Sequence, residues 1–374
     1  MKSFFIVYFW ALLVCCMPLA AQQTQIYIEP NVTFKQAQQH YEQGNYALTR
    51  QLVEQLLYPT QQQAPRFEYL TEARFYQAMC ARKLQQPDAE LLLLNFVNDF
   101  PVSAWSSAAN YELGKIYFED GDYKSAIAAF EDVDPASLSN AERLQYYFQA
   151  GYANFVSKKF DEAQELLGRV TNKYPNPYYE DANYYYGVAA YFKKDYRQAL
   201  ESFKKIEQNP KYSPSMPYYI TLIYYTQKKT DDLLAYAVPK TQQSNVKNQK
   251  EINMIVGQSY FSQKKFKEAI PYLEYYVKNT DKVRKEDIYQ LGMAQYQSNQ
   301  IEAAIPNLAE LNSLKDSLGQ NAMYHLADCY LKTNDKSKAN AAFEAAARLS
   351  HNKEIQEIAA FNHAKMSYDL GLNS

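Results

Sequence analysis

The chain has 374 residues, with only 10 glycines but 36 tyrosines, and its formal net charge is −2. So few glycines argue against Gly-rich catalytic loops and large β-architectures, which leaves helices as the expected structure. A nearly neutral chain also lacks the basic surface that phosphate binding requires. We therefore expect an all-helical protein that binds no nucleic acid.

The first 21 residues are predicted to be a cleavable signal peptide. A positive start is followed by an apolar run over residues 4–14 and then by small residues ending at Ala21. The run is too short to span a bilayer comfortably. Cys15 and Cys16 raise the alternative of a lipoprotein, although neither follows the small residue that lipidation expects. Cleavage after Ala21 predicts a periplasmic, outer-membrane-associated or secreted protein with no integral membrane span.

Two cysteines follow the predicted signal peptide, Cys80 and Cys329. They lie far apart in the sequence, and both fall within helical patterns. We expect each to be a buried thiol, with a disulfide as the alternative.

One pattern recurs along the chain from residue 114 onward. A small residue, here called the anchor, is followed in most copies by Ala twelve residues later and by Phe or Leu four residues beyond that Ala. Each copy contains two amphipathic helices joined by a polar turn, and such a unit stacks on its neighbours because it cannot bury its apolar face alone. The anchors, separated by 34 to 37 residues, are Gly114, Gly151, Gly187, Thr221, Gly257, Gly292 and Ala327.

This unit resembles the tetratricopeptide repeat, in which a Leu-Gly pair is followed by Tyr, Ala, an aromatic residue and Pro. Leu113, Gly114, Tyr117, Ala126 and Phe130 carry the resemblance best. It implies an all-α fold, a right-handed α-solenoid of stacked antiparallel helix pairs. It also implies a module for protein–protein interaction.

The predicted solenoid covers residues 22–374 with about nine helix pairs. Its poorest interior unit lies near residues 213–248, where Leu233 replaces the expected Ala and Pro239 stands near the end. A shorter or displaced second helix is predicted there. A single trailing helix over residues 354–371 resembles the first helix of another unit. Either it caps the solenoid or the sequence is one piece of a longer protein.

The sequence contains no recognisable motif for catalysis, cofactor binding or metal binding. None of the four histidines has a second ligand at the spacing of a zinc site. Neither a phosphate loop, a dinucleotide fingerprint nor a Gly-flanked nucleophilic serine is present. The Lys/Gln tracts at residues 227–229 and 263–265 are predicted to be solvated turns. We therefore predict that the protein is not an enzyme and that it uses no cofactor.

Aromatic residues recur at two places in the first helix of each unit. The upstream row lies three residues before the anchor and the downstream row four residues after it, so both share one helix face. In tetratricopeptide proteins the first helices line the concave groove, which makes these rows the candidate partner-binding site. The candidate residues are Tyr111, Phe118, Phe148, Phe155, Tyr184, Tyr191, Tyr218, Tyr225, Phe261, Tyr289, Tyr296 and Tyr324.

Such rings offer a large contact area at low entropic cost, which suits an extended peptide or a partner helix. Two alternatives are that the rings mainly pack neighbouring units together and that they stack on carbohydrate. The sequence thus predicts a non-catalytic scaffold of the bacterial cell envelope that binds a protein or peptide and associates with envelope proteins. The alternative function is an adaptor that recruits or regulates cell-wall or glycan enzymes.

Overall fold

The computed structural model describes residues 30–59 and 69–372. Within these ranges the regular secondary structure consists of nineteen α-helices and a 3-10 turn at Pro135–Ser137. None of the described helices combines the length and the apolar character that crossing a bilayer needs. The predicted signal peptide, residues 1–21, lies outside the described residues.

The described residues up to Lys173 form one compact unit, here called the first unit. Its helices form four consecutive pairs. They are α1 (Pro30–Glu42), α2 (Tyr46–Leu57), α3 (Leu70–Lys83), α4 (Ala89–Asp99), α5 (Ser106–Glu119), α6 (Tyr123–Glu131), α7 (Asn140–Val156) and α8 (Phe160–Gly168).

The described residues from Tyr174 onward form the second unit, with five pairs and one trailing helix. The division falls between residues 173 and 174, and the predicted extent of the solenoid, residues 22–374, stays a prediction. The helices are α9 (Tyr179–Phe192), α10 (Tyr196–Ile206), α11 (Met216–Thr226), α12 (Thr230–Lys240), α13 (Gln249–Ser262), α14 (Phe266–Lys278), α15 (Lys285–Gln297), α16 (Ile301–Ala309), α17 (Ser317–Lys332), α18 (Lys336–Ala347) and α19 (Lys353–Asp369).

Helix pairs stack in chain order within each unit. The two helices of a pair contact each other across a short turn, and the second helix contacts the first helix of the next pair. First helices of neighbouring pairs also touch, as in α3 with α5 and α13 with α15. The described residues thus form the all-α arrangement of stacked helix pairs that the repeat predicted.

The anchor glycines lie where the two helices of a pair meet. A Cβ atom added at Gly151 would lie 2.7 Å from Cγ of Leu167, sixteen residues later in the second helix. At Gly187 the added atom would lie 2.6 Å from Cε1 of Phe203. Such distances leave no room for a side chain, so the small anchor is what allows the helices to approach this closely. The predicted repeat register is confirmed at these positions.

From α5–α6 onward, the turn within each pair contains a residue with left-handed backbone, seven residues after the anchor. Gly121 adopts it with φ of 78°, as expected for glycine. In other pairs the same position is occupied by lysine, with φ of 65° at Lys194 and 57° at Lys228. Lys228 and Lys264 are exposed, in agreement with the predicted solvated turns.

The pair α11–α12 corresponds to the unit predicted to be irregular. The expected shortening is not observed, because α12 has 11 residues, as α10 does. Pro239 is the penultimate residue of α12, so its ring removes little of the helix. Leu233 is nevertheless 1% exposed at the alanine position, and Oγ1 of the buried anchor Thr221 has no hydrogen-bond partner. The irregularity is therefore one of packing.

The trailing helix α19 begins and ends within two residues of its predicted limits. Asn352 caps it by accepting a hydrogen bond from the backbone N–H of Ile355 at 3.2 Å. Ala359 and Met366 are buried against the preceding pair, whereas Phe361 and Tyr368 on the other side are 69% and 73% exposed. The helix therefore presents an apolar face to solvent.

Cys80 and Cys329 are free, buried thiols, as predicted. Burial raises the pKa of Cys80 to about 12 and that of Cys329 to about 11. Both thiols are therefore protonated at neutral pH, which suppresses their reactivity.

Candidate functional site

The structure describes all twelve candidate residues, and it places them on first helices of the two units. Tyr111, Phe118, Phe148 and Phe155 belong to the first unit, and the other eight belong to the second. Most of these rings are half-buried, so one part of each ring packs against protein while another part reaches solvent. Tyr111 and Tyr225 depart from this pattern in opposite directions.

Tyr111 is only 2% exposed. Its hydroxyl donates a hydrogen bond to Oε1 of Gln145 at 3.0 Å, and Nζ of Lys115 lies 4.9 Å from the ring centroid. The ring therefore belongs to the core between neighbouring pairs. Tyr111 therefore does not belong to the candidate binding surface, because α7, the first helix of the next pair, covers its ring.

Rings of the downstream row pack against the first residue of the second helix in the same pair, nine residues after the anchor. This contact recurs wherever that residue is also aromatic, and it holds each downstream ring against its own turn. The rows thus have a packing role, in line with the alternative considered from the sequence. The centroid distances are 5.8 Å for Phe118–Tyr123, 6.0 Å for Phe155–Phe160, 5.8 Å for Tyr191–Tyr196 and 5.4 Å for Phe261–Phe266.

Rings of the upstream row in the second unit also have aromatic neighbours. Tyr184 stacks on Tyr212 at a centroid distance of 4.7 Å, and Tyr324 meets the edge of Phe343 at 6.2 Å. Burial raises the pKa of Tyr289 and of Tyr218, so their hydroxyls stay protonated at neutral pH. Truncating an upstream ring would therefore disturb packing as well as surface.

Tyr225 is the exposed exception, with 44% of its surface accessible. Its pair carries Thr230 at the position where four other pairs place a ring, so this contact is missing. The hydroxyl of Tyr225 donates a hydrogen bond to Oε1 of Gln258 on α13 at 3.3 Å. Of the twelve candidates, Tyr225 presents the most accessible ring to a partner.

A polar cluster lies beside Tyr296 near the end of the second unit. The Tyr296 hydroxyl donates to Oδ2 of Asp328 at 2.7 Å, and Nζ of Lys332 lies 2.8 Å from the same oxygen and 4.3 Å from the ring centroid. The His325 ring lies 5.0 Å from the Tyr296 ring, and burial lowers the pKa of His325. Sequence reasoning missed Asp328 and Lys332, which lie one and five residues after their anchor on the same helix face.

A polar network and a cavity lie beside Tyr225, and sequence reasoning missed both. Nε2 of Gln258 donates to Oδ1 of the fully buried Asp287 at 2.7 Å, and Nε of Arg284 donates to Oδ2 of Asp287 at 2.8 Å. A cavity of 710 Å³ opens next to this network, with Leu233 in its wall. The sequence signal that could have indicated this cavity is Leu233, which stands where the repeat pattern expects Ala.

The described residues contain no group of three or more His, Cys, Asp or Glu side chains placed to hold a metal ion. The face formed by the first helices offers a partner apolar contact area bordered by polar groups. Half-exposed rings supply apolar surface, and the hydroxyls, Asp328 and Lys332 supply hydrogen bonds and charge.

Comparisons with known proteins agree with the repeat pattern. One tetratricopeptide-repeat family model matches residues 148–214 and 289–352, and a second matches residues 107–134. No curated protein sequence matches the chain.

Solved structures similar to the chain include several tetratricopeptide proteins. The C-terminal part of a repeat protein from Cytophaga hutchinsonii is 20% identical, with 87% of this chain and 98% of that chain covered and a TM-score of 0.33. A repeat protein from Parabacteroides merdae is 13% identical, with coverages of 79% and 100% and a TM-score of 0.30. Yeast Tom70 is 9% identical, with coverages of 92% and 97% and a TM-score of 0.31.

At these TM-scores the solved structures serve only as a description of what the chain is similar to. The family assignment rests on the matched repeat models together with the helix pairs, the anchor contacts and the left-handed turns. The chain is a tetratricopeptide-repeat protein over the matched residues 107–134, 148–214 and 289–352.

Proposed function

We propose that the chain is a non-catalytic scaffold of the bacterial cell envelope, and that it binds a peptide or partner protein on the first-helix face of its second unit. The observation that carries this proposal is the row of half-exposed rings on that face, with Tyr225 accessible and Tyr296 edged by Asp328 and Lys332. Aromatic rings surrounded by polar groups are the usual anchors of protein interfaces. Tetratricopeptide repeats in general act in protein–protein interaction, which supports this proposal.

Tyr225 is the sharpest probe of this face, because it is the most exposed of the twelve candidate residues. Truncating a central aromatic anchor costs a complex about 2 kcal/mol, roughly thirtyfold in affinity. Tyr225→Ala should therefore lose a partner that the wild-type chain recovers from an envelope extract, while the thermal unfolding transition stays unchanged.

Tyr275 provides the matched control. It is 42% exposed, close to the 44% of Tyr225, but it lies on the second helix α14. Tyr275→Ala should keep the partner. Equal recovery by both variants would refute binding on the first-helix face, whereas a recovered cell-wall or glycan enzyme would favour the adaptor function.

The envelope location depends on the predicted signal peptide. Purification of the protein from its native host, followed by N-terminal sequencing, should give a first residue at Gln22. Retention of Met1, or an acylated Cys16, would contradict cleavage after Ala21.

A further inference from the structure

The cavity in the second unit owes its existence to the sequence of the pair α11–α12. It is lined by residues of α11, of α12 and the turn between them, of α13, and of the start of α15. Thr230 stands where four other copies of the repeat carry a ring, and Leu233 stands where the other six copies carry Ala. Tyr225 consequently has no ring of its own pair to pack on, and its surface faces the cavity.

The cavity lies mostly in a stretch that the repeat models do not match. One repeat model matches residues 148–214 and 289–352, and most of the lining lies in the stretch between these segments. A volume of 710 Å³ is within the usual range for ligand pockets, about 300–1,000 Å³. It is sufficient for a short stretch of polypeptide.

The charge of the lining is positive. Lys228 and Arg284 contribute to it, and among the described lining residues none is Asp or Glu. Nε and Nη2 of Arg284 donate to the two carboxylate oxygens of Asp287 at 2.8 and 2.9 Å, behind the wall. This pairing fixes the guanidinium, while Lys228 is exposed at the opening and forms no salt bridge within the part of the chain that the structure describes.

The lining also contains an acceptor in need of a donor. Oε1 of Gln290 is buried and has no hydrogen-bond partner among residues 30–59 and 69–372. An unsatisfied buried acceptor is unfavourable, and an amide N–H from a ligand would relieve it. The remaining apolar wall, formed by Tyr225, Phe261 and Leu233, suits the aliphatic part of a side chain.

We propose that this cavity selects the partner by accepting an acidic side chain of a bound polypeptide, an inference that rests on the proposed function. The carboxylate of an Asp or Glu residue lies near Lys228, its methylene groups lie on Tyr225 and Phe261, and a backbone N–H donates to Gln290. An acidic residue within a peptide supplies all three features. A basic residue would be repelled by the exposed charge of Lys228.

Lys228 is the residue to change, because Arg284 holds a buried carboxylate and its loss would destabilise the fold. Lys228→Asn removes the charge and keeps a residue that tolerates left-handed backbone. Lys264→Asn is the matched control. Lys264 occupies the same turn position in the next pair, with φ of 60° against 57° for Lys228, and it does not line the cavity.

The probe is a phage-displayed library of random dodecapeptides, selected on the full chain and on both variants. Peptides selected by the wild-type chain should be enriched in Asp and Glu. For a synthetic copy of the best peptide, Lys228→Asn should weaken binding about fivefold, the upper value for a partly exposed ion pair. Added salt should weaken wild-type binding as well.

A charge-neutral peptide completes the test. Replacing its acidic residue by the amide should cost the wild-type chain the same factor and should cost the Lys228→Asn variant nothing more. Lys264→Asn should bind like the wild type.

Neutral or basic selected peptides, or equal binding by the two lysine variants, would overturn the acidic specificity and leave the proposed scaffold function standing. A library that yields no binder would overturn both.

Discussion

The contact between Gly187 and Phe203 allows a quantitative test of the repeat packing. A Cβ atom at Gly187 would lie 2.6 and 2.8 Å from two ring carbons of Phe203. The Phe203 ring is fully buried and lies 5.3 Å from the ring of Tyr219 on α11, so there is no free space into which it could move. Gly187→Ala should therefore strain the pair α9–α10.

Gly292 is the comparison within the same unit. Its added Cβ would lie 3.0 Å from Leu308 and 3.3 Å from Asn307, contacts that a small side-chain shift relieves. Overpacking costs about 1–3 kcal/mol, and replacing a mid-helix Gly by Ala returns about 0.5–1 kcal/mol in both variants. We expect Gly187→Ala to lower the free energy of unfolding by about 1–2 kcal/mol and Gly292→Ala to leave it nearly unchanged.

Urea unfolding followed by circular dichroism measures both variants, with the slope checked because stacked repeats can unfold in parts. Combining Gly187→Ala with Phe203→Leu should cost less than the sum of the single changes, because the smaller side chain removes the overlap. Equal midpoints for the two alanine variants, or strict additivity in the double variant, would show that these anchors are not close-packed contacts.

Three further predictions concern the turns and the buried titratable groups. Lys194→Gly should raise the free energy of unfolding by about 1 kcal/mol, because glycine adopts the left-handed φ of 65° without strain. Gly121→Ala should lower the free energy of unfolding for the same reason, and urea midpoints that shift in the opposite directions would contradict this. Burial lowers the pKa of His325, so its contribution to stability is present above the ordinary histidine pKa of about 6.5 and is lost as pH falls below it. His325→Phe should flatten the stability profile between pH 7 and 5, and an unchanged slope would count against it. Burial alone would raise the pKa of Glu112, but the positive charges of Lys115, Lys83 and Arg82 outweigh this effect and hold the pKa below its ordinary value. The resulting stability is lost on acidification below about pH 4.3, so Glu112→Gln should remove part of the acid sensitivity measured by circular dichroism, and identical acid transitions would refute the assignment.

The sequence by itself determined the repeat, its register and the all-helical class. These follow from local rules, since a small anchor and a large residue sixteen positions later must meet wherever two short helices fold back on each other. Gly114 with Phe130 and Gly257 with Leu273 make the contacts that the spacing predicts. The buried state of Cys80 was predictable for the same reason, because it lies on the core face of a helix.

Only the tertiary structure decided which parts of the repeated surface are available. Tyr111 of the upstream row and Tyr225 of the downstream row were both binding candidates in the sequence, yet one is 2% and the other 44% exposed. Exposure depends on what the neighbouring pair places opposite each ring, and that residue is distant in the sequence. Thr230 leaves Tyr225 without a ring of its own pair to pack on, and Arg284 lies just before the second of the following pairs. The cavity is therefore lined by residues that no single repeat contains.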